Sequence, residues 1–170
     1  MLPKAMQDAM NEQIKNELYS AYLYLSMAAH YESKNLSGFA NWLRVQAQEE
    51  LGHAMRFYNF ILERGGTVTL KAIDQPPSSW DSNLEAFQQV LAHEQKVTKN
   101  IHDLYALAVQ EKDYPSQVML QWFVDEQVEE EKSATEIIEK LKLIGDHGGA
   151  LLMLDHELGQ RKPEEEEEEE

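Results

Sequence analysis

The chain has 170 residues, 27% of them charged, with a formal net charge of −16. That length suits one domain with a sizeable core, and so acidic a balance disfavours nucleic-acid and anionic-membrane partners, which need basic patches. Cysteine is absent, which excludes disulfides, thiolate zinc sites, iron–sulfur clusters and cysteine nucleophiles. No apolar run approaches the roughly 18 residues of a membrane span, and "MLPKAMQDAMNEQIKNE" lacks the apolar stretch of a secretory signal, so a cytoplasmic location is expected.

Spacing by threes and fours predicts four long helices. The first runs from about Lys4 to His30 or slightly beyond, with the stripe Met10, Ile14, Glu17, Ala21, Tyr24, Ala28. The second is expected to open on Ser37 as N-cap and to stop at Gly65-Gly66, with the stripe Phe39, Leu43, Gln46, Glu50, His53, Phe57, Phe60. The third opens at the capping-box pattern Ser82-x-x-Glu85 and runs to about Lys112, with the stripe Leu84, Phe87, Leu91, Glu94, Thr98, Ile101, Tyr105. The fourth starts near Pro115, tolerated in a first turn, and ends at Gly145, with the stripe Leu120, Phe123, Gln127, Glu130, Ala134, Ile137, Leu141. A short amphipathic segment follows, about Ala150 to Gln160, and residues 1–162 form the expected domain. Residues 163–170 include the run Glu164 to Glu170 and read as a disordered, solvated acidic tail. No strand alternation of useful length is present.

The connections predict the topology. Short loops near Asn35 and Asp113 make the first and second helices, and the third and fourth, antiparallel neighbours. The link "GTVTLKAIDQPPSSWD" is long. Extended, its residues reach about 53 Å, more than the roughly 42 Å of a 28-residue helix. It can therefore return along the whole bundle and leave the third helix parallel to the second. The expected fold is an all-α, ferritin-like four-helix bundle with one long crossover and a short fifth helix.

Each stripe is apolar except near mid-helix, where Glu17, Glu50 with His53, Glu94 and Glu130 stand. A single Glu on such a stripe is usually a boundary residue with its head in water, and a single His is usually a hydrogen-bonded core residue. Four carboxylates converging at one level are different, because burying them uncompensated is strongly destabilising. Either several are protonated or a cation holds them, and four negative charges match two divalent ions. Oxygen ligands with one imidazole and no thiolate disfavour structural zinc, calcium and magnesium and suit iron or manganese. The two-metal bundle pattern takes one Glu from each of two helices and Glu-x-x-His from each of the others. Here Glu50-Leu51-Gly52-His53 is one such motif, while the fourth helix carries Gln127-x-x-Glu130. With one imidazole missing, one metal position should be held less tightly.

"NEQIKNELYSAYLYLSMA", "QAQEELGHAMRFYNFI", "HEQKVTKNIHDLYALA" and "YPSQVMLQWFVDEQVEEEKSA" together resemble the prokaryotic non-haem ferritins, over about Met6 to Gly159. The resemblance implies an iron-storage protein with ferroxidase activity, self-assembled into a hollow shell, usually of 24 subunits. It implies that Glu17, Glu50 and His53 hold one iron, that Glu50 bridges to a second completed by Glu94 and Glu130, and that Tyr24 and Gln127 lie close by. It also implies a third iron position formed by Glu49, Glu126 and Glu129 with Glu130; spacing alone reads the first three as a solvated acidic face. Trp122 is implied to sit near the site. O2 or hydrogen peroxide is the implied oxidant. Haem is not expected, because Leu51 stands where the related bacterioferritins place a haem-ligating Met. Two alternatives from the residues are a di-iron oxidase acting on an organic substrate and a docking bundle without activity.

Overall fold

A computed structural model of the chain describes residues 1–163, and the expected acidic tail of Glu164 to Glu170 lies outside them. The described residues form five helices and no strand: α1 (Lys4–Ser33), α2 (Ser37–Glu63), α3 (Asn83–Gln110), α4 (Tyr114–Ile144) and α5 (Gly148–Leu158). The fifth helix begins two residues earlier than its apolar run suggested and ends two sooner. None of the helices is long and apolar enough to cross a membrane.

Aromatic contacts fix the relative directions. Phe39 and Trp42, near the start of α2, meet Phe87, near the start of α3, with centroids 5.8 and 5.6 Å apart. These two helices therefore run parallel. Phe57, late in α2, stacks on Phe123, early in α4, at 4.2 Å, so that pair is antiparallel. Tyr31 at the end of α1 stacks on Phe39 at 4.9 Å across the first tight turn. The bundle is thus the expected one, and the crossover between α2 and α3 makes it possible. That link is fastened along α1: Asn11 donates to Thr67 O at 2.9 Å and accepts from Thr69 N at 2.8 Å, and Ser26 at the other end of α1 donates to Pro77 O. Trp80 closes the run by packing edge-on to His30 at 5.3 Å. Its indole N–H, which needs a partner once buried, donates to Gln89 at 2.9 Å.

The helix ends correct one expectation. Ser82 does cap α3, its hydroxyl accepting from Glu85 N at 3.1 Å. Ser37 does not cap α2: it is already the first helical residue, and Leu36 occupies the N-cap without a side-chain bond. The capping acceptor comes from another helix, since Asp155 Oδ1 in α5 accepts from Phe39 N at 3.0 Å. A carboxylate there also meets the positive end of the helix dipole. At the other end Gly65 follows the Arg64 C-cap with φ +71°, a left-handed conformation that costs glycine little.

The α2–α5 contact depends on Gly38. A Cβ at Gly38 would lie 1.6 Å from Asp155 O and 2.5 Å from its carbonyl carbon. Backbone cannot yield as a flexible side chain does. Gly38→Ala is expected to push α5 off α2 and to cost about 1–3 kcal/mol, the usual range for overpacking. Thermal unfolding, with limited proteolysis at the α5 segment, checks this; a wild-type melting curve and digestion pattern would refute it.

Two apolar clusters fill the bundle. One, around Phe39, Phe87, Leu43 and Ile138, fills the end nearer α5; the other, around Met6, Met10, Phe57, Ile101 and Phe123, fills the opposite end. The polar level lies between them.

Candidate metal centre

Glu17, Glu50, Glu94 and Glu130 are each 95% or more buried, as is His53. Each is placed by its helix stripe, and the stripe of α4 is buried at every predicted position. The other stripes drift: in α1 Ser20 is buried and Ala21 only partly so, and in α2 Ile61 is buried and Phe60 only partly so. A helix of 3.6 residues per turn rotates off a fixed three-four count over this length.

Glu17, Glu50 and His53 each bring a ligand atom within 4.8 Å of the other two, and so do His53, Glu126 and Glu130. His53 Nδ1 is 3.3 Å from Glu50 Oε2, and its Nε2 is 3.9 Å from Glu126 Oε1. Glu94 faces the centre from the far side, gripped by Tyr24, whose hydroxyl donates to its Oε1, and by Gln127 Nε2 at 3.2 Å from its Oε2. Gln127 Nε2 also lies 3.2 Å from Thr98 Oγ1, and Thr98 in turn donates to Glu131 at 2.6 Å. Gln13 donates to Glu17 Oε1 at 2.8 Å, and Gln46 donates to Glu130 Oε2 at 2.5 Å. Trp122 stands edge-on to the His53 ring at 5.3 Å, and the Arg56 guanidinium covers its indole face at 3.8 Å.

The outer glutamates separate. Glu126 is half-buried against His53. Glu49 is ion-paired to Arg161 at 2.5 Å. Glu129 is exposed and faces Lys132 at 3.5 Å, apart from both three-ligand groups. Leu51 is also exposed.

The electrostatics are those of a buried cluster of like charges. Burial, and then the neighbouring Glu50 charge, pushes the Glu17 carboxyl well above its ordinary range. Burial does the same to Glu50, with the charges of Glu94 and Glu130 next. Glu94 is raised chiefly by burial, and Glu130 is raised to about 8 by burial and then by Glu94. Burial and Glu94 also push the Tyr24 phenol upward, which keeps it protonated and donating. Half-buried His93, which meets Ser20, Tyr19 and Tyr24, is pushed down to about 4 by burial and so contributes no compensating charge at neutral pH.

Two oxygens test whether a metal fits. Glu17 Oε2 and Glu50 Oε2 are buried and receive no hydrogen bond from any amide, hydroxyl or backbone N–H. Folded chains rarely leave such acceptors bare, and a buried carboxylate lacking a donor needs either a proton or a cation. The donor set is carboxylate and imidazole, with amides and a phenol fixing the ligands from behind. Sequence periodicity reached the buried carboxylates and His53 but assigned no task to Gln13 and Gln46. Both lie one turn before a site glutamate, at Glu17 and Glu50, and that i, i+4 spacing was the available signal.

A parallel-crossover four-helix bundle with mid-height glutamates and one Glu-x-x-His defines the class of carboxylate-histidine metal proteins. Residues 7–144 match the ferritin family description, ferritin-like domain. A bacterial non-heme ferritin of Bacteroides fragilis is 44% identical over 161 residues, covering 95% of this chain and all of that protein. One from Staphylococcus aureus is 40% identical over 166 residues, covering 98% of this chain and all of the relative. Among solved structures, the open-pore ferritin of the hyperthermophilic archaeon Archaeoglobus fulgidus is 56% identical, with a TM-score of 0.94 over 95% of this chain and all of that one. An engineered closed form of the same archaeal ferritin is 55% identical, with a TM-score of 0.95 over 96% of this chain and 100% of that one. The chain belongs to the ferritin family, and that membership supports iron storage as its broad role.

Proposed function

We propose that the protein oxidises Fe(II) at the buried carboxylate centre and stores the ferric product as a mineral inside a hollow shell of its own copies. The observation that carries this reading is the convergence of Glu17, Glu50, His53, Glu94 and Glu130 at one level, with two buried carboxylate oxygens lacking hydrogen-bond donors. Iron is here the substrate. Glu17, Glu50 and His53 take one ferrous ion; Glu50 bridges to a second held with Glu94 and Glu130. The raised carboxyls release protons as the ions arrive, so filling the site exchanges one kind of positive charge for another. Each Fe(II) gives up one electron, and O2 takes two electrons and two protons to become hydrogen peroxide; with peroxide as oxidant the product is water.

Carboxylates bind Fe(III) more strongly than Fe(II), which lowers the barrier to oxidation. Gln127 stands where a second imidazole would, so the second position lacks a nitrogen ligand, which favours departure of the product over a locked pair of metals. Tyr24 and Gln127 fix Glu94, and Gln46 fixes Glu130, so the ligands need little reorganisation. Glu126 beside His53, with Glu49 and Glu130, supplies an outer position on the exit side. Glu129 is too exposed to belong to the buried centre and joins only as a solvent-side ligand.

Shell assembly, of 24 subunits by family likeness, is supported by an apolar face on the outside of the α1–α2 pair. Tyr22, Leu25 and Leu51 are exposed around a pocket of about 420 Å³ whose wall includes Leu18 and Ile73. A second copy is the occupant proposed for it. Cytoplasmic location follows the same likeness.

The test is aerobic addition of ferrous iron to the purified apo protein, far beyond two ions per chain. The expected product is a soluble, brown, high-mass particle holding many irons per subunit. Saturation near two ions per chain would replace this reading with a di-iron oxidase, and oxidation no faster than buffer would leave only a docking bundle.

A further inference from the structure

Arg161, just past the last turn of α5, reaches back to α2 beneath the metal centre. Asn41 on α2 holds this segment, its Nδ2 lying 3.3 Å from Leu158 O, 3.4 Å from Gly159 O and 3.0 Å from Arg161 O. The Arg161 side chain then turns inward. Its Nη1 donates to Gln46 Oε1 at 2.8 Å and to Trp42 O at 3.3 Å, and its Nη2 donates to Glu49 Oε2 at 2.5 Å. The guanidinium carbon lies 4.5 Å from the Trp42 ring centroid. The side chains of Arg161 and Glu49 are 22% and 15% exposed. A planar fork that serves three acceptors and stacks on an indole is a task for arginine, which lysine cannot reproduce.

This cation stands one residue away from the buried ligands: the same Gln46 that accepts from Arg161 donates to Glu130. Glu49 is close enough for its charge to raise the Glu130 carboxyl. Glu49 is therefore matched to a fixed positive charge of the same chain, in an ion pair far less exposed than that of Glu129 with Lys132. A divalent ion arriving at its carboxylate meets a competitor in place.

We infer that Arg161 is a built-in counter-cation for the outer position, and that Glu49 binds a metal ion through Oε2 only after the guanidinium has been displaced. This rests on the reading of Glu49 as an outer iron ligand. The consequence is ordered occupancy. Glu17, Glu50, His53, Glu94 and Glu130 have no such occupant and fill first; the outer position fills when the local concentration of iron is high enough to displace Arg161. The outer position then serves as a passage for surplus or departing iron rather than as a storage position.

The experiment titrates zinc(II), a redox-inert probe, into the full-length apo protein by calorimetry, so that no oxidation is involved. Arg161→Ala is expected to bind the outermost zinc about tenfold more tightly than wild type, the scale of one charge-assisted hydrogen bond removed from competition, with the tighter zinc events unchanged. Arg161→Lys should lie between the two. Combining Arg161→Ala with Glu49→Gln should abolish the gain. If Arg161→Ala matches wild type, or binds the outer zinc more weakly, while Glu49→Gln weakens that event, the counter-cation role is overturned and the outer-ligand reading stands. If Glu49→Gln changes no zinc event in either background, the outer-ligand reading fails and the inference with it. Thermal unfolding of each apo variant at matched pH separates these outcomes from loss of fold.

Discussion

Replacing Glu50 or His53 with Ala is expected to slow the first phase of ferrous oxidation by about a hundredfold or more, since changes to residues that merely support metal ligands already cost 10–100-fold. Both side chains act in more than one place. Glu50 belongs to the Glu17–Glu50–His53 group and feels the charges of Glu94 and Glu130, so its loss removes the proposed bridge between the two metal positions. His53 belongs to both three-ligand groups, with Glu50 at 3.3 Å and Glu126 at 3.9 Å. Stopped-flow absorbance at about two ferrous ions per chain reads the phase directly. Wild-type rates in both variants would remove the site from where it is placed. Glu129→Ala is the control: this exposed side chain, paired to Lys132 at 3.5 Å, should leave the first phase close to wild type.

The second large effect is on the apo protein. Raised carboxyls hold protons in the folded chain that the unfolded chain has already released. Glu130 sits at about 8 when folded, against an ordinary glutamate value of 4.5. Across that interval the folded state binds more protons than the unfolded state, so stability falls as pH rises. The contribution is fully present below about 4.5 and is lost as pH rises through the folded values, with Glu17, Glu50 and Glu94 acting in the same direction. Glu130→Gln keeps an acceptor for the Gln46 amide and removes the charge. It is expected to raise the apo melting temperature at pH 8 by several degrees, at about 2–4 °C per kcal/mol for a chain of this size, and to flatten the decline between pH 5 and 8. Zinc(II) should raise the wild-type melting temperature more at pH 8 than at pH 5, because at the higher pH fewer protons must be displaced. Equal pH slopes for wild type and Glu130→Gln, measured by calorimetry, would contradict this account.

The two effects have one physical origin. On the proposed function, protons and iron ions alternate on the same buried carboxyls. Gln13, Gln46, Tyr24 and Gln127 orient the ligands without supplying any positive charge that would compete at the inner positions. Arg161, a fixed cation, pairs with Glu49 at the outer edge.

Much of this was determined by the sequence alone. Mid-stripe glutamates in four amphipathic segments, one His three residues after Glu50, two short loops and one long link suffice for the bundle, its connectivity and its buried carboxylates. Helix periodicity is local, and a stripe interrupted at the same height in every helix has few packings. The tertiary structure decided what local spacing could not express. Asp155, not Ser37, provides the acceptor at the start of α2, because a helix end can be satisfied by any element packed against it. Glu49, Glu126 and Glu129 all carry the same charge near the same motifs, yet one is clamped by Arg161, one leans on His53 and one faces water. Glu126 meets His53 of α2, Glu129 meets Lys132 one turn further along its own helix, and Glu49 meets a residue 112 positions later in the chain. No sequence pattern links those two; only the folding of α5 back onto α2 brings them together.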